Sequence, residues 1–194
     1  MYDKPKWLRG NLPLARQENP KEQQSILFFC TANICRSPFA EQLLAHYLSQ
    51  TTSITVDSAG IYALTGHGMD PLMLKELQLR NVTVRPHHAK QLTGRLIESA
   101  SLLITFEQHH LQWLLTENPR ARRKTLILGQ LERLLREAPA PRTLDEIVMD
   151  ASGLPILDSD VLDDPFSRGT EQIRLAAGRI ERTLELLRET LQNN

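Results

Sequence analysis

The amino-acid sequence predicts an α/β fold in which a four-stranded parallel sheet carries helices on both faces. Four short apolar runs, rich in Ile, Leu, Val and Phe, are each bounded by polar residues. Runs of this kind are typical of parallel strands that are buried on both sides. Between them lie segments whose apolar residues recur every three or four positions, as in amphipathic helices. Because strands and helices alternate, we expect the strands to pair in parallel through helical crossovers.

The first two strands are each followed by a helix with a recognisable start. Ser37 and Pro38 favour a helix N-terminus, because a hydroxyl can cap the first amides and proline is tolerated at the first helical position. Asp70 and Pro71 predict a second start in the same way, and the helix after them is expected to bury Leu79. These elements are the strand 26–29, the helix 38–49, the strand 54–56 and the helix 70–81.

The second half of the chain repeats this alternation and ends in a long helix. The third and fourth apolar runs are predicted strands, and the segment between them has the helical period. Proline and glycine residues separate the helices that follow. The predicted elements are the strand 102–106, a helix that ends at 115, the strand 125–128 and the helices 130–137, 143–151 and 170–191.

Charge, cysteine content and hydropathy indicate which partners and which cellular compartment to expect. Lys plus Arg and Asp plus Glu both number 23, so no overall field attracts nucleic acid or an anionic membrane. Cys30 and Cys35 are the only cysteines, which fits a reducing compartment. No apolar run is long enough to span a bilayer, and residues 1–24 lack the apolar core of a signal peptide. We therefore expect a cytoplasmic protein that neither binds nucleic acid nor inserts into a membrane, with residues 1–24 as an N-terminal arm before one domain, 25–194.

The loop between the first strand and the first helix carries the chemistry. Residues 30–38 read Cys-Thr-Ala-Asn-Ile-Cys-Arg-Ser-Pro. Their place between the carboxyl end of a strand and a helix N-terminus gathers unpaired amides that favour an anion. The amides, the helix dipole and Arg36 all stabilise a thiolate at Cys30, and the guanidinium can hold two oxygens of a phosphate. The loop therefore predicts attack of a thiolate on phosphorus.

Such an attack needs a general acid on the opposite side of the phosphate, because the leaving oxygen must receive a proton. The best candidate is the segment Asp163-Asp164-Pro165-Phe166. Pro165 favours an extended conformation of Asp164, and Asp163 together with the phosphate dianion favours its protonated form. Phe166 can offer an aromatic wall to a phenyl ring.

Residues 30–38 resemble the phosphate-binding loop of the low-molecular-weight protein tyrosine phosphatases, Cys-x-Gly-Asn-Ile-Cys-Arg-Ser-Pro, with alanine in place of the glycine. The resemblance runs from about residue 25 to the last helix and leaves out the arm and an insertion at about 136–160. It implies hydrolysis of phosphotyrosine in proteins through a cysteinyl-phosphate intermediate. In this mechanism Cys30 is the nucleophile, Arg36 clamps the phosphate and Asp164 is the general acid and base.

The resemblance also implies roles for the residues around the catalytic groups. Ser37 resembles the hydroxyl that donates to the thiolate, and Asn33 resembles a loop-shaping asparagine in a left-handed conformation. The family has Asp-Pro-Tyr-Tyr where this chain has Asp164-Pro-Phe-Ser, so the second tyrosine is absent. The substrate-binding residues implied are Thr31, Ala32, Asn33, Ile34, Cys35, Ser37, Tyr62 and Phe166, and the supporting residues are Ser58, His87 and Glu107.

Two other activities share the fold and the loop of this family. Arsenate reductases of the thioredoxin-linked type need two further cysteines, whereas this chain has only Cys35 besides Cys30. Phosphoarginine phosphatases also use the cysteine, arginine and aspartate, but they carry threonine where Ile34 stands. A module that binds phosphotyrosine without hydrolysing it is a third alternative, and it is disfavoured because all three catalytic residues are present.

We expect no metal and no cofactor. Adjacent histidines at 87–88 and at 109–110 should point to different sides of a strand or helix, and the two cysteines lack the spacing of a zinc knuckle. The sequence also has no glycine-rich nucleotide-binding loop. The expected partner is a protein substrate, which is what the resemblance implies.

The nature of that partner follows from the resemblance. Residues 58–71 and the stretch Glu-Gln-His-His-Leu at 107–111 look most like the bacterial phosphatases of exopolysaccharide and capsule operons. Those phosphatases act on tyrosine autokinases. The resemblance therefore implies a phosphotyrosine protein, and specifically a tyrosine autokinase, as the substrate.

Overall fold

The sheet is parallel throughout, as the alternation of strands and helices predicts. A computed structural model of the chain describes residues 23–49, 54–137, 141–151 and 153–192. Its strands are β1 (Ser25–Cys30), β2 (Thr55–Gly60), β3 (Leu102–Thr105) and β4 (Thr125–Ile127). They stand in the order β2-β1-β3-β4, and each neighbouring pair is parallel. The predicted fold class is therefore confirmed.

Helices alternate with the strands and then form the C-terminal third of the chain. In the described residues the α-helices are α1 (Arg36–Leu48), α2 (Pro71–Leu79), α3 (Gly94–Ser99), α4 (Gln108–Glu117), α5 (Leu128–Glu137), α6 (Leu144–Ala151) and α7 (Thr170–Gln192). Two 3-10 helices cover Pro119–Lys124 and Asp158–Asp160. Within the part of the chain that the structure describes, no helix is both long enough and apolar enough to cross a membrane.

The central strand β1 shows how the two faces of the sheet are covered. Ile26 and Phe28 belong to one buried cluster, which they share with residues of α1, α5 and α7. Leu27 and Phe29 belong to a second cluster with residues of α3 and α4. Successive side chains of a strand point to opposite faces, and burying each large apolar side chain contributes about 1.5–3 kcal/mol. Helices on both faces therefore stabilise the sheet.

Helix α1 begins two residues before its predicted start. Cys35 occupies the N-cap position without a side-chain hydrogen bond, so the prediction of Ser37 as N-cap is wrong. The Ser37 hydroxyl lies 3.0 Å from the Cys30 sulfur instead. Pro38 is the third helical residue, where a missing amide hydrogen is tolerated because the first four amides have no partner within the helix.

Helix α2 confirms one predicted feature and corrects another. Asp70 caps it as expected, because its carboxylate accepts hydrogen bonds from the amides of Leu72 at 2.9 Å and Met73 at 3.1 Å. Leu79, however, is exposed rather than buried. It follows the buried Leu77 by two positions, which places it on the opposite side of a helix with 3.6 residues per turn.

Three features lie outside what the sequence pattern predicts or what the structure describes. Helix α3 was not predicted, because it has six residues and a single buried side chain and so shows no apolar period. Residues 1–22 of the expected arm lie outside the described residues. The division into an arm, a domain from 25 to 194 and an insertion at about 136–160 stays a prediction.

The sheet order creates a crevice at the carboxyl ends of β1 and β3. From β1 the chain crosses to β2 on one side, and from β3 it crosses to β4 on the other. Ligands of open α/β sheets bind where such crossovers diverge. Cys30 ends β1 and Glu107 follows β3 by two residues, so the predicted phosphate-binding loop lies at this point.

Candidate active site

The backbone of the loop after β1 is held from outside by its carbonyl groups. Every carbonyl from residue 30 to residue 34 accepts a hydrogen bond. The donors are the amides of Ile61 (2.9 Å), Tyr62 (2.9 Å), Leu64 (3.0 Å) and Asp70 (2.7 Å) and the ring Nε2 of His87 (2.7 Å). The C=O and N–H of a peptide group point in opposite directions, so the amides of 31–35 turn inward. Successive amides in such a loop form a concave site for an anion.

The close contact between this loop and β2 requires glycine at position 60. A Cβ atom there would lie 2.6 Å from the Thr31 oxygen and 2.9 Å from the Asn33 nitrogen. Both neighbours are backbone atoms of the loop, so they cannot move aside without changing its shape. Gly60 therefore allows the loop to lie directly against the end of β2.

Asn33 shapes the loop from within, as the resemblance implies. It has a positive φ of 57° and is fully buried. Its Nδ2 donates to the hydroxyls of Ser37 at 3.0 Å and Ser58 at 2.8 Å. Its Oδ1 accepts from the amide of Lys90 at 2.9 Å. Side-chain and backbone contacts thus offset the cost of the left-handed conformation, which is least for asparagine, aspartate and glycine.

A hydroxyl donor faces the sulfur of Cys30. The Ser37 oxygen already accepts a hydrogen from Asn33, so its own hydrogen is available to a second group. The Cys30 sulfur at 3.0 Å is nearer than the Ala59 carbonyl at 3.4 Å. Behind this pair, the Ser58 hydroxyl donates to a carboxylate oxygen of Glu41 at 2.6 Å. A hydroxyl that donates to sulfur favours the thiolate over the thiol.

Arg36 is almost completely buried, with 1% of its surface exposed. Its Nη1 donates to the carboxylate of Glu107 and to the Leu162 carbonyl at 2.8 Å, which uses both hydrogens of that nitrogen. The guanidinium also lies over the Phe106 ring, 5.7 Å from its centroid. Its Nε has no hydrogen-bond partner among the described residues. Nε and Nη2 lie on the same side of a guanidinium, so the planar fork that binds two oxygens of a phosphate faces away from Glu107.

The two neighbouring aspartates have different positions. Asp164 is 41% exposed, and its Oδ2 lies 3.0 Å from Nη2 of Arg36. Asp163 is 76% exposed, and its carboxylate lies 3.5 Å from Arg168 at the surface. The structure thus brings Asp164, and not Asp163, to the loop that contains Cys30.

His110 is a site residue that the sequence interpretation missed. It is fully buried, and its Nε2 lies 3.0 Å from the Thr31 hydroxyl. Burial, and after it the nearby positive groups of Arg36 and His109, lowers the pKa of His110 to about 2. The ring is therefore neutral at physiological pH. The sequence interpretation considered it only as one of two adjacent histidines in the stretch 107–111, and that position does not reveal a contact with a loop 79 residues earlier.

One group of side chains could hold a metal ion. Within the described residues, ligand atoms of Glu107, His109 and His110 lie within 4.8 Å of one another. The expectation that His109 and His110 point to different sides is wrong, because their ring centroids are 4.0 Å apart. Both side chains lie near the Glu107 carboxylate, at 3.4 Å and 3.9 Å. The expectation of a metal-free protein stays a prediction.

Cys35 and the rim residues complete the surroundings of the loop. Cys35 is buried, and its pKa is raised, first by burial and then by the charges of Asp164 and Cys30, so its thiol stays protonated. Tyr62 and Phe166 are 65% and 45% exposed. Tyr62 meets the half-buried Trp113 edge to face, with ring centroids 6.3 Å apart. Two aromatic surfaces are thus available to a substrate from solvent.

Fold and site together define an α/β protein with a phosphate-binding loop at the switch point of a parallel sheet. The chain belongs to the low molecular weight phosphotyrosine protein phosphatase family, whose sequence model matches residues 25–146. Members of this family are hydrolases. Asp164 lies beyond the residues that the family model matches. Its place in the site is therefore supported by its contact with Arg36 and not by the family model.

Individual relatives agree with this family. The low molecular weight protein-tyrosine-phosphatase Wzb of Salmonella typhi is 36% identical over 116 residues, which cover 60% of this chain and 75% of that protein. The solved tyrosine phosphatase Wzb from Escherichia coli K30, in complex with sulphate, has a TM-score of 0.67 and 27% identity over 86% of this chain and 96% of its own. The YwlE arginine phosphatase from Geobacillus stearothermophilus has a TM-score of 0.69 and 27% identity over 88% and 94% of the two chains.

The neutral state of His110 predicts a specific pH dependence of stability. The pKa of His110 is about 2 in the folded chain and has its ordinary value of 6.5 in the unfolded chain. Between these values only the unfolded state binds the proton, so acid lowers the free energy of unfolding below pH 6.5. This residue contributes a slope of up to about 1.4 kcal/mol per pH unit. Urea unfolding from pH 6.5 to pH 4.5 should show a shallower slope for His110→Gln than for the unmodified protein.

The matched control for this prediction is His109→Gln. His109 is the neighbouring histidine, and about half of its side chain is exposed. That variant should keep the slope of the unmodified protein. Equal slopes in His110→Gln and the unmodified protein would show that folding does not depend on a neutral His110.

Proposed function

We propose that this chain hydrolyses phosphotyrosine in proteins through a cysteinyl-phosphate intermediate. Cys30 is the nucleophile, Arg36 holds the phosphate and Asp164 is the general acid and base. The observation that carries this proposal is the position of Arg36. Its buried guanidinium lies beside the loop of Cys30, its Nε has no hydrogen-bond partner among the described residues, and its Nη2 lies 3.0 Å from the Asp164 carboxylate.

The first step transfers the phosphoryl group from tyrosine to sulfur. The Cys30 thiolate forms a bond to phosphorus while the bond from phosphorus to the tyrosine oxygen breaks. The inward amides of residues 31–35 and the fork of Arg36 bind the three outer oxygens of the phosphoryl group, where charge spreads in the transition state. Asp164 gives its proton to the leaving oxygen, so a neutral phenol departs.

The second step returns the enzyme to its starting state. Water attacks phosphorus as the sulfur–phosphorus bond breaks, and the Asp164 carboxylate accepts a proton from that water. The electron pair of the broken bond returns to the Cys30 sulfur. The Ser37 hydroxyl, 3.0 Å away, stabilises the released thiolate, which makes it a better leaving group.

Asp164 must carry a proton at the start of this cycle. In the structure its carboxylate lies 3.0 Å from Nη2 of Arg36. A bound phosphate dianion offsets the charge of Arg36 and adds negative charge beside Asp164. Both effects favour protonation, so the acid becomes competent when the substrate is bound.

The rim supports an aromatic leaving group. Tyr62 and Phe166 are both exposed; the Tyr62 amide binds the Thr31 carbonyl of the loop, and the Phe166 amide binds the Asp164 carboxylate. Aromatic side chains pack against a phenyl ring with specific geometry. A phosphoserine side chain offers no ring to these surfaces, so phosphotyrosine is the preferred substrate class.

The proposed protein substrate is a bacterial tyrosine autokinase. Support comes from the likeness of residues 58–71 and 107–111 to phosphatases of exopolysaccharide and capsule operons, and from 36% identity to Wzb of Salmonella typhi. The likeness to the YwlE arginine phosphatase keeps phosphoarginine as a second candidate substrate. Ile34, which stands where those enzymes carry threonine, argues against it.

A comparison of substrates tests this choice. Initial rates should be measured on peptides that carry phosphotyrosine, phosphoserine or phosphoarginine in the same sequence, with thioredoxin-linked arsenate reduction as a further assay. We expect hydrolysis of phosphotyrosine with much lower rates on the other two peptides and no arsenate reduction, because the chain has only two cysteines. A higher rate on phosphoarginine would replace the proposed substrate class.

The assignment of the acid predicts unequal effects at two neighbouring positions. Asp164→Asn should lower kcat on phosphotyrosine by about 10²–10⁴-fold, the range of general acid catalysis. On aryl phosphates with strongly acidic phenols the loss should be smaller, because those leaving groups need no proton. Asp163→Asn is the matched control and should keep most of the activity, since Asp163 points to solvent. The reverse result would assign the acid to Asp163.

A further inference from the structure

The segment that carries Asp164 is anchored by side chains from two helices. It runs from the 3-10 helix Asp158–Asp160 to the start of α7 and contains little regular structure. Leu162 is tied at both backbone groups, because its amide donates to the Phe106 carbonyl and its carbonyl accepts from Arg36, each at 2.8 Å. The residues before Leu162 are held by groups outside the phosphate-binding loop.

The first anchor is an ion pair between Arg133 of α5 and the buried Asp160. Arg133 donates through Nε to Oδ1 at 2.9 Å and through Nη2 to Oδ2 at 3.0 Å, which is a bidentate pair. The same carboxylate accepts from the Leu157 amide at 2.8 Å. Both oxygens of Asp160 are therefore used to fix the start of the segment.

The second anchor is Arg179 of α7. Its Nη1 donates to the Val161 carbonyl at 2.6 Å, and its Nη2 donates to the Ser159 carbonyl. Its Nε lies 3.7 Å from a carboxylate oxygen of Glu132 on α5. One guanidinium thus joins α5, α7 and two carbonyls of the segment. These carbonyls lie three and five residues before Asp164.

A close backbone approach supports the same arrangement. A Cβ atom on Gly129 of α5 would lie 2.2 Å from the Asp160 Cα and 2.6 Å from its carbonyl oxygen. Both are backbone atoms, so any side chain at 129 would push the segment away from α5. Gly129 lies in the first turn of a helix, where alanine would otherwise be the more favourable residue. The glycine is explained by the position of Asp160.

We propose that Arg179 and the Arg133–Asp160 pair are positioning residues that determine where Asp164 stands relative to Cys30. This inference rests on the proposed role of Asp164 as the general acid. The contacts of Arg133, Asp160 and Arg179 lie within α5, α7 and residues 155–161 and involve no residue of the phosphate-binding loop. Leu162, which binds Arg36, has its own hydrogen bond to the Phe106 carbonyl, so we expect the anchors to affect proton transfer more than phosphate binding. A displacement of about 1 Å in a reacting group can lower a rate by about 10²-fold.

The test is Arg179→Met, which keeps an apolar stem but removes both hydrogen bonds. We expect kcat on a phosphotyrosine peptide to fall by about 10- to 100-fold. On an aryl phosphate with a strongly acidic phenol kcat should fall less than about 3-fold, because that leaving group needs no proton. The inhibition constant of inorganic phosphate should not change. The control is Arg182→Met, an exposed arginine three residues further along α7, which should behave as the unmodified protein.

Gly129→Ala provides an independent second variant, because it displaces the segment without removing a charge. It should show the same dependence on the leaving group as Arg179→Met, with thermal unfolding measured to confirm that both variants fold. Equal losses on both substrates, weaker phosphate binding or unchanged rates in the two folded variants would overturn the inference. A variant that does not fold makes Arg133→Met the deciding measurement.

Asp164→Asn in the same assays separates this inference from the proposed function. If Asp164→Asn shows a loss that depends on the leaving group and Arg179→Met does not, only the positioning role is wrong. If Asp164→Asn shows no such loss, the assignment of the general acid is wrong and the positioning role falls with it.

Discussion

The burial of one positive charge, that of Arg36, organises the site. A buried guanidinium is unfavourable unless ionic and hydrogen-bond partners surround it. Its partners here come from two parts of the chain: Glu107 after β3, and the segment before α7, which supplies the Leu162 carbonyl and Asp164. The ion pairs and hydrogen bonds of Arg36 therefore connect the loop after β1 to the end of β3 and to the segment before α7. The two nitrogens on the side of a phosphate are Nε, which has no partner among the described residues, and Nη2, which lies beside Asp164.

The shape of the rest of the loop is determined by the hydrogen bonds of its backbone carbonyls. The carbonyls of residues 30–34 all accept hydrogen bonds from groups outside the loop. Because the C=O and N–H of one peptide group point in opposite directions, the amides of residues 31–35 point to the inside of the loop. Gly60 lets the end of β2 lie close enough to the loop for the residues after it, 61–64, to supply three of these donors. Asn33 takes the left-handed conformation that the turn requires. The anion site is thus a consequence of how outer segments bind the carbonyls. The same logic extends to the Asp164 segment, whose carbonyls bind Arg179.

Much of the fold and the centre of the site could be predicted from the sequence. The strands were predictable because short β-branched and aromatic runs bounded by polar residues are typical of buried parallel strands. The contact between Arg36 and Asp164 agrees with the prediction that both belong to one site, which came from residue type and local spacing. The catalytic roles of Cys30, Arg36 and Asp164 stay predictions. Ser37 was misplaced as a cap because a hydroxyl beside proline has the same local pattern whether it binds an amide or a sulfur. His110, Gly129 and Arg179 were missed because each depends on a contact with a distant segment, and no local pattern encodes such a contact.

The central claim is that the phosphoryl group passes through the sulfur of Cys30. The most direct measurement is to mix the enzyme with a phosphotyrosine peptide, denature it within the first turnover and map the phosphorylated residue by mass spectrometry. The account predicts one phosphoryl group on Cys30, formed with the first burst of released peptide, and none on Cys35. A phosphoryl group on any other residue, or rapid turnover with no phosphorylated enzyme at any time, would contradict it.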